Sequence, residues 1–460
     1  MAWRGWTKRR TIFLAILFAA SLANMAGKGK AEETPAPAEK PVSFLGQHFS
    51  YDLRILSFGV IQQPTDSTQN PSNNFLQLQR YIGDGELRPD LRLSLDNLDL
   101  SAKPRARLDY NAWEDGSRRG DSEWEHDFFV NEWLARVKVR ENLFVSYGRE
   151  NLQWGPSYLF SPSNPFFQDN GRRNTYLEVP GMDFGRLVWI PGAAWSFSFI
   201  ANTDPGLNKT TGPGAFLSAT PPPPFERTYT IKADYTGREA YASLILSRRE
   251  DAENVLGFFG GWTVTDAILL YAEGALTQGS IGLYPVEERF SPFGASMETT
   301  EKHASTLDPT ILLGASYTFE SKGILTLEYA YYGPGYNTED AETYAALRRR
   351  GAQSFSLGGP FAGLGMETLG QTAQTDLRFL RRNYAMLQYT QTNIRNNIDL
   401  TFRWAQNLDD GSGQLTTLLS YSLGKHVELF SVATFAAGGK NTEFGSFLDY
   451  QVMVGLEYTF

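Results

Sequence analysis

The chain has 460 residues and no cysteine, with 20% charged and 14% aromatic side chains, which excludes a disulfide scaffold, a thiolate metal protein and a disordered tail. Its 42 basic and 51 acidic residues leave a formal charge of −9, which argues against a nucleic-acid partner, because such a protein needs a basic face to release phosphate counterions. No segment reaches the roughly 20 apolar residues of a membrane-spanning helix.

Residues 1–26 read as a secretory signal peptide. Arg4, Lys8, Arg9 and Arg10 precede a short apolar run, Thr11 to Leu22, and small residues follow at Ser21, Ala23 and Ala26. Residues 27–46 form a linker on the periplasmic side, rich in Ala, Pro, Glu and Lys at its start and lacking core-forming residues there. With no cysteine behind the apolar run, no thiol is there to lipidate.

From 47 to 460 the pattern is period-two alternation in segments of about ten residues. They lie at 48–61, 85–95, 103–112, 127–140, 143–150 and 182–190, then at 194–203, 226–236, 239–249, 254–265, 267–277 and 309–320. Six more follow at 324–334, 381–392, 396–407, 414–424, 427–436 and 448–460. Leu325, Leu327 and Tyr329 share one face and Thr326, Glu328 and Ala330 the other; Tyr229, Ile231 and Tyr235 oppose Thr230, Lys232 and Asp234. The connections alternate too. Tight joins such as Glu141-Asn142, Thr236-Gly237-Arg238 and Gly424-Lys425-His426 take turns with long ones such as 62–84, 151–181 and 335–380. Short turns on one side and long loops on the other predict an all-β, antiparallel transmembrane β-barrel of about 18 strands, with periplasmic turns and extracellular loops. Closure follows from the solvent, since a lipid-exposed sheet has no water for an unpaired edge.

The last segment ends in Leu456, Tyr458 and Phe460, which is similar to the C-terminal aromatic signal of Gram-negative outer-membrane β-barrels. Gly148-Arg149 and Trp154-Gly155, followed by Ser161-Pro162-Ser163-Asn164-Pro165, resemble a stretch of porin-like barrels and of capsule-assembly outer-membrane lectins of the Wzi type. The resemblance implies an outer-membrane protein read by the barrel-assembly machinery and surrounded by outer-membrane lipids and lipopolysaccharide. It implies either a channel for small hydrophilic solutes or a surface polysaccharide-binding barrel with an occluded lumen.

Parity assigns the lumen. Arg54, Arg88, Arg92, Arg105, Arg107, Arg136, Lys138 and Arg140 point inward as a basic wall, and later strands contribute Asp234, Glu273, Glu328, Asp399, Glu428, Asp449 and Glu457 as an acidic one. A field across the pore that guides carboxylate-bearing solutes competes with the plainer reading of paired or solvated wall charges. Loop 335–380, with a helical stretch ending in Arg348, Arg349 and Arg350, either folds inward as a constriction or stays outside near lipopolysaccharide phosphates. In loop 151–181, Trp154, Tyr158, Phe166 and Phe167, near Gln168, Asp169, Asn170 and Arg172-Arg173, are either glycan contacts or the packing of a folded-in loop. The Pro/Gly-rich connection 204–225 reads as a surface segment.

Catalytic signals are missing. The four histidines, His48, His126, His303 and His426, have no evident nucleophile partner, and no zinc-protease, phosphate-loop or serine-elbow motif occurs. The chain is read as non-enzymatic, without cofactor or metal.

Overall fold

The computed structural model describes residues 44–167, 171–172, 174–207, 225–250, 253–279, 282–299 and 306–460. The signal peptide, most of the linker, most of the 204–225 connection, His303, Gln168, Asp169, Asn170 and Arg173 lie outside the described residues. Two units separate, 1–47 and 48–460, and of the first only the start of a short helix, α1 (Phe44–His48), is described. The second unit is the barrel.

Its strands are β1 (Phe49–Pro64), β2 (Tyr81–Ser94), β3 (Leu98–Ala112), β4 (Ser122–Arg140), β5 (Leu143–Glu150), β6 (Met182–Gly192) and β7 (Trp195–Asp204). They continue as β8 (Thr228–Thr236), β9 (Ala240–Arg249), β10 (Asn254–Thr265) and β11 (Ile268–Gln278). A loop hairpin, β12 (Tyr284–Glu287) with β13 (Ala295–Glu298), comes before β14 (Leu307–Thr318) and β15 (Gly323–Tyr332). Helices α2 (Thr338–Leu357) and α3 (Pro360–Ala373) precede β16 (Asn383–Ile394), β17 (Ile398–Asn407), β18 (Gly413–Leu423), β19 (Val427–Ala437) and β20 (Leu448–Thr459).

Apart from the β12–β13 hairpin, every strand pairs antiparallel with its neighbours in chain order, giving an 18-stranded sheet. β1 closes it on β20, in register from Arg54 opposite Thr459 to Gln63 opposite Tyr450. Each predicted segment corresponds to one barrel strand. The largest boundary differences lie at the N-terminal ends of β3 and β4, which begin at Leu98 and Ser122. In β4 these added residues include Glu123, Glu125 and His126, all still paired with β3. A strand that rises above the hydrocarbon needs no apolar outer face there, so hydropathy does not mark its true end.

Side-chain direction follows the alternation. Leu325, Leu327 and Tyr329 are exposed on the outside of β15, while Thr326, Glu328 and Ala330 are at most 1% accessible within. Tyr229 and Ile231 are likewise exposed and Thr230 buried. The outside is a greasy surface made for lipid, and the backbone ring leaves no edge. Short turns tolerate left-handed backbone where they must reverse, as at Gly424 with φ +74°. No helix among the described residues is long and apolar enough to cross a membrane.

The apolar clusters lie inside the barrel and among the long loops. Leu159 and Phe160 pack on Tyr271, Leu312, Tyr332 and Met386. Phe166 and Phe167 pack on Phe184 and Ile200. In the loop layer, Tyr284 and Met297 of the hairpin pack with Tyr344 and Leu347 of α2. Phe75 and Leu76 pack with Ala352 of α2 and Leu369 of α3.

Candidate functional site

The lumen is organised by the connection 151–181, which leaves the wall after β5 and crosses the interior before rejoining it at β6. One end is fastened to β11 and β15. Glu273, buried in mid-β11, accepts from Ser157 Oγ at 2.6 Å, Ser161 Oγ at 2.5 Å and Ser163 Oγ at 2.7 Å. Glu328 of β15 accepts from the backbone N–H groups of Tyr158 at 2.7 Å and Leu159 at 2.8 Å, and from Tyr271 Oη at 2.6 Å. A buried carboxylate is costly unless its oxygens are filled, and hydrogen bonds to a charged group are the strong ones.

The other end is held from β2, β3 and β19. Arg105, with 0% of its surface accessible, meets Glu178 through two hydrogen bonds of 2.8 and 2.7 Å and Asp90 through a third of 2.8 Å. Arg88 donates to the carbonyl of Tyr176 at 3.0 Å. The Tyr176 ring stacks on Phe430, centroids 3.7 Å apart, and its hydroxyl donates to Glu428 at 2.6 Å. Between the two ends, Arg403 of β17 donates to the Arg172 carbonyl at 2.9 Å, and Arg172 lies over the Tyr158 ring at 4.8 Å. The loop is a crossbar bound to the walls on both sides.

This places the predicted site residues. Arg54, Arg88, Arg92, Arg105, Arg107, Arg136 and Lys138, the expected basic wall, each meet a carboxylate. Arg54 pairs with Asp90 at 3.0 Å, Arg88 with Glu86 at 2.7 Å, Arg92 with Asp99 at 3.8 Å, and Arg136 with Asp99 at 2.6 Å. Arg107 lies 3.5 Å from Asp84, and Lys138 2.9 Å from Glu141. Arg92 and Arg136 keep side-chain exposures of 61% and 43%, whereas Arg88 and Arg105 are buried. The wall is a charge-paired surface in which some cations stay open to water and others hold the crossbar.

The expected acidic wall has a different job. Glu273, Glu328 and Glu428 anchor the inner loop, while Asp234 takes Lys232 and the Ser243 hydroxyl. Glu457 faces Arg54 at 3.8 Å. These carboxylates were legible as inward by parity. The loop partners of Glu273, Glu328 and Glu428 sit more than a hundred residues away in a segment without periodicity, so nothing local announces the pairing.

Phe166 and Phe167 are buried against Phe184, and Trp154 meets Phe166 edge-on at 5.9 Å, so these rings pack the crossbar. Tyr158 lies beneath the Arg172 guanidinium. Within the 335–380 segment, Phe379 packs inward on Phe160 of the crossbar, while the helices lie among the long loops. These helices pack on the β12–β13 hairpin and the 65–80 and 438–447 loops, with Arg348 donating to the Asn441 carbonyl and Arg350 to that of Phe293. Of the two placements open for the run Arg348, Arg349 and Arg350, these contacts set Arg348 and Arg350 among the long loops. The physical reason is that α2 and α3 find their apolar partners among the long loops rather than on a polar wall. Leu456, Tyr458 and Phe460 end β20, where Phe460 N–H donates to the Leu53 carbonyl at 3.1 Å and closes the ring. Among the described residues no group of three His, Asp or Glu is placed to hold a metal ion.

Fold and lumen define the class: an 18-stranded closed antiparallel β-barrel with an apolar outer face and an inward loop. It is similar to Pseudomonas aeruginosa OccK7 (OpdD), with a TM-score of 0.52 and 11% identity over 90% of this chain and 98% of that one. Similar too are Pseudomonas aeruginosa OprD, at TM-score 0.52 and 10% identity over 90% and 95%, and Acinetobacter baumannii OccAB1, at 0.52 and 10% over 89% and 96%. At such identities the likeness is one of fold. No family model matches the chain, and no curated protein matches it.

Proposed function

We propose that the chain is a non-enzymatic outer-membrane channel for passive diffusion of small hydrophilic solutes, with a lean toward anionic or carboxylate-bearing ones. The observation that carries this reading is the crossbar. A loop fastened to the wall on both sides, in an otherwise polar and charge-paired lumen, would narrow a wide barrel toward the size of a small solute. The outer-membrane porins of OprD and Occ type with the same 18-strand fold support the channel. The lean toward anions draws on Arg92 and Arg136, the wall cations most open to water. A guanidinium is suited to a carboxylate because its donors match two oxygens at once.

The second reading is a polysaccharide-binding barrel of the Wzi type, and one observation favours it: the crossbar touches β2, β3, β11, β15, β17 and β19, which would also serve an occluded lumen. Planar-bilayer recording of the purified protein separates the two. Stepwise current with a reversal potential on the anion side supports the channel; electrical silence together with retention on immobilised glycan supports the alternative.

A further inference from the structure

Three extracellular segments meet at one half-buried carboxylate that the crossbar does not use. Glu443, in the 438–447 loop, accepts from Tyr384 Oη at 2.5 Å and Asn407 Nδ2 at 2.7 Å through one oxygen, and from the Leu380 N–H at 3.0 Å through the other. Its own N–H donates to Asp410 at 2.9 Å. The 438–447 loop, the 408–412 loop and the chain entering β16 thus share one junction. From there contacts run inward: Tyr384 stacks on Phe379 at 4.3 Å, and Phe379 meets Phe160 of the crossbar edge-on at 5.1 Å.

We propose that Glu443 is a protonation-sensitive latch that holds these extracellular loops together and, through Phe379, sets how firmly the crossbar is seated at Phe160. When neutral, the carboxyl sits in this junction without an uncompensated charge. When ionised, it must be served by three donors while Asp410 stands beside it. Burial, reinforced by Asp410 and opposed by the Tyr384, Leu380 and Asn407 donors, pushes the carboxyl up to about 7.

The charged and titratable groups around it come from every neighbouring element. Asp409 and Asp410 lie on the 408–412 loop, and Tyr384 on β16. Arg381 stands 4.0 Å from Asp409, and Tyr344 and Arg348 of α2 share the loop layer. Asp409 is already served by Arg382 N–H, Asn383 and Arg381, which leaves Asp410 as the charge acting directly on Glu443. The effect on current rests on the channel reading above; the latch itself does not.

The test uses the absence of native cysteine. A spin label is placed at K440C, an exposed position on the same loop, in the full barrel in lipid bilayers, and its mobility is followed from about pH 4.5 to about pH 9. The mobile fraction is expected to rise severalfold up to about pH 7 and to level above it, and E443Q is expected to hold the label immobile throughout. D410N, which removes the neighbouring charge, should make the rise end at lower pH and serves if E443Q does not fold. A mobility that is flat with pH in the parent, or a rise that persists unchanged in E443Q or D410N, overturns the latch. A latch that opens while bilayer current is absent leaves it standing and removes the channel instead.

Discussion

Gly155 lies against the carboxylate of Glu273 so closely that a Cβ built on it would stand 2.3 Å from Oε2. Its φ of +87° is a conformation in which only glycine is at ease. Both features arise because the chain must turn here to bring Ser157, Ser161 and Ser163 onto one acceptor. G155A therefore meets a clash and a strained backbone together, at a cost of about 1–3 kcal/mol for the backbone alone. The expected outcome is a crossbar lifted from β11, read as a larger single-channel conductance and faster proteolysis within 151–181. Unchanged conductance and cleavage would show that the serine cluster is not what seats the loop.

At the far end of the crossbar Arg105 serves two carboxylates, Asp90 and Glu178, from a wholly buried position. Replacing it with Met removes the cation and leaves two acids facing each other. Breaking a buried pair on one side costs about 3–5 kcal/mol, and because both acids keep some exposure the lower end applies. R105M should lower the denaturant midpoint of the barrel in detergent, and R105M with E178Q should recover part of the loss. A double variant no better than the single one would mean that Glu178 contributes packing rather than charge.

The barrel itself is legible in the sequence because lipid demands alternation from every strand: Leu325 out and Glu328 in is a statement about solvent, and solvent acts on each residue separately. The crossbar was not readable in the same way. Ser157 and Glu273 are 116 positions apart, and a hydroxyl that donates to a carboxylate has no signature in the run of residues around it. Parity placed Glu273 and Arg105 inside, as the structure also has them, but parity is silent on whether an inward charge faces water or a loop. The Arg348–Arg350 run left two placements open for a related reason, since a cationic helix on a long loop is equally at home in a pore or among other loops. What decided it was the apolar face formed by Tyr344 and Leu347, which finds Tyr284 and Met297 on the hairpin.

The loop layer should loosen at both ends of the pH scale. Asp409 titrates lower than usual: burial alone would raise it, but the Asn383 side chain, the Asn383 and Arg382 N–H groups and Arg381 outweigh that. A depressed acid lends stability above its unfolded value of 3.8, and that stability fades as pH falls through the lower folded value. Glu443 has the opposite sign. With its value raised from 4.5 to about 7, the latched form loses ground as pH climbs through that window and no more beyond it. Amide exchange of 377–382 and 408–412, referenced to barrel strands, should show greatest protection in mildly acidic solution. D409N should remove the acid limb alone. Protection that increases with pH between 4.5 and about 7 would contradict the Glu443 assignment, and an acid limb that persists in D409N would contradict that of Asp409.

Selectivity offers the sharpest test of the basic wall. Arg92 and Arg107 sit at different heights on β2 and β3, partly open to water, each beside an acid that does not bury it: Asp99 at 3.8 Å and Asp84 at 3.5 Å. In a narrow lumen the field of such residues is only weakly screened, because the Debye length of about 10 Å at 0.1 M salt is comparable with a pore's width. R92E combined with R107E replaces two positive charges with two negative ones while leaving Arg88 and Arg105, which hold the crossbar, in place. The reversal potential in a salt gradient should then move toward cation selectivity, with most of the conductance retained and the shift shrinking as salt is raised. A reversal potential that stays put would mean that the neighbouring carboxylates already cancel these cations, and the lean toward anionic solutes would have to be abandoned while the channel stands.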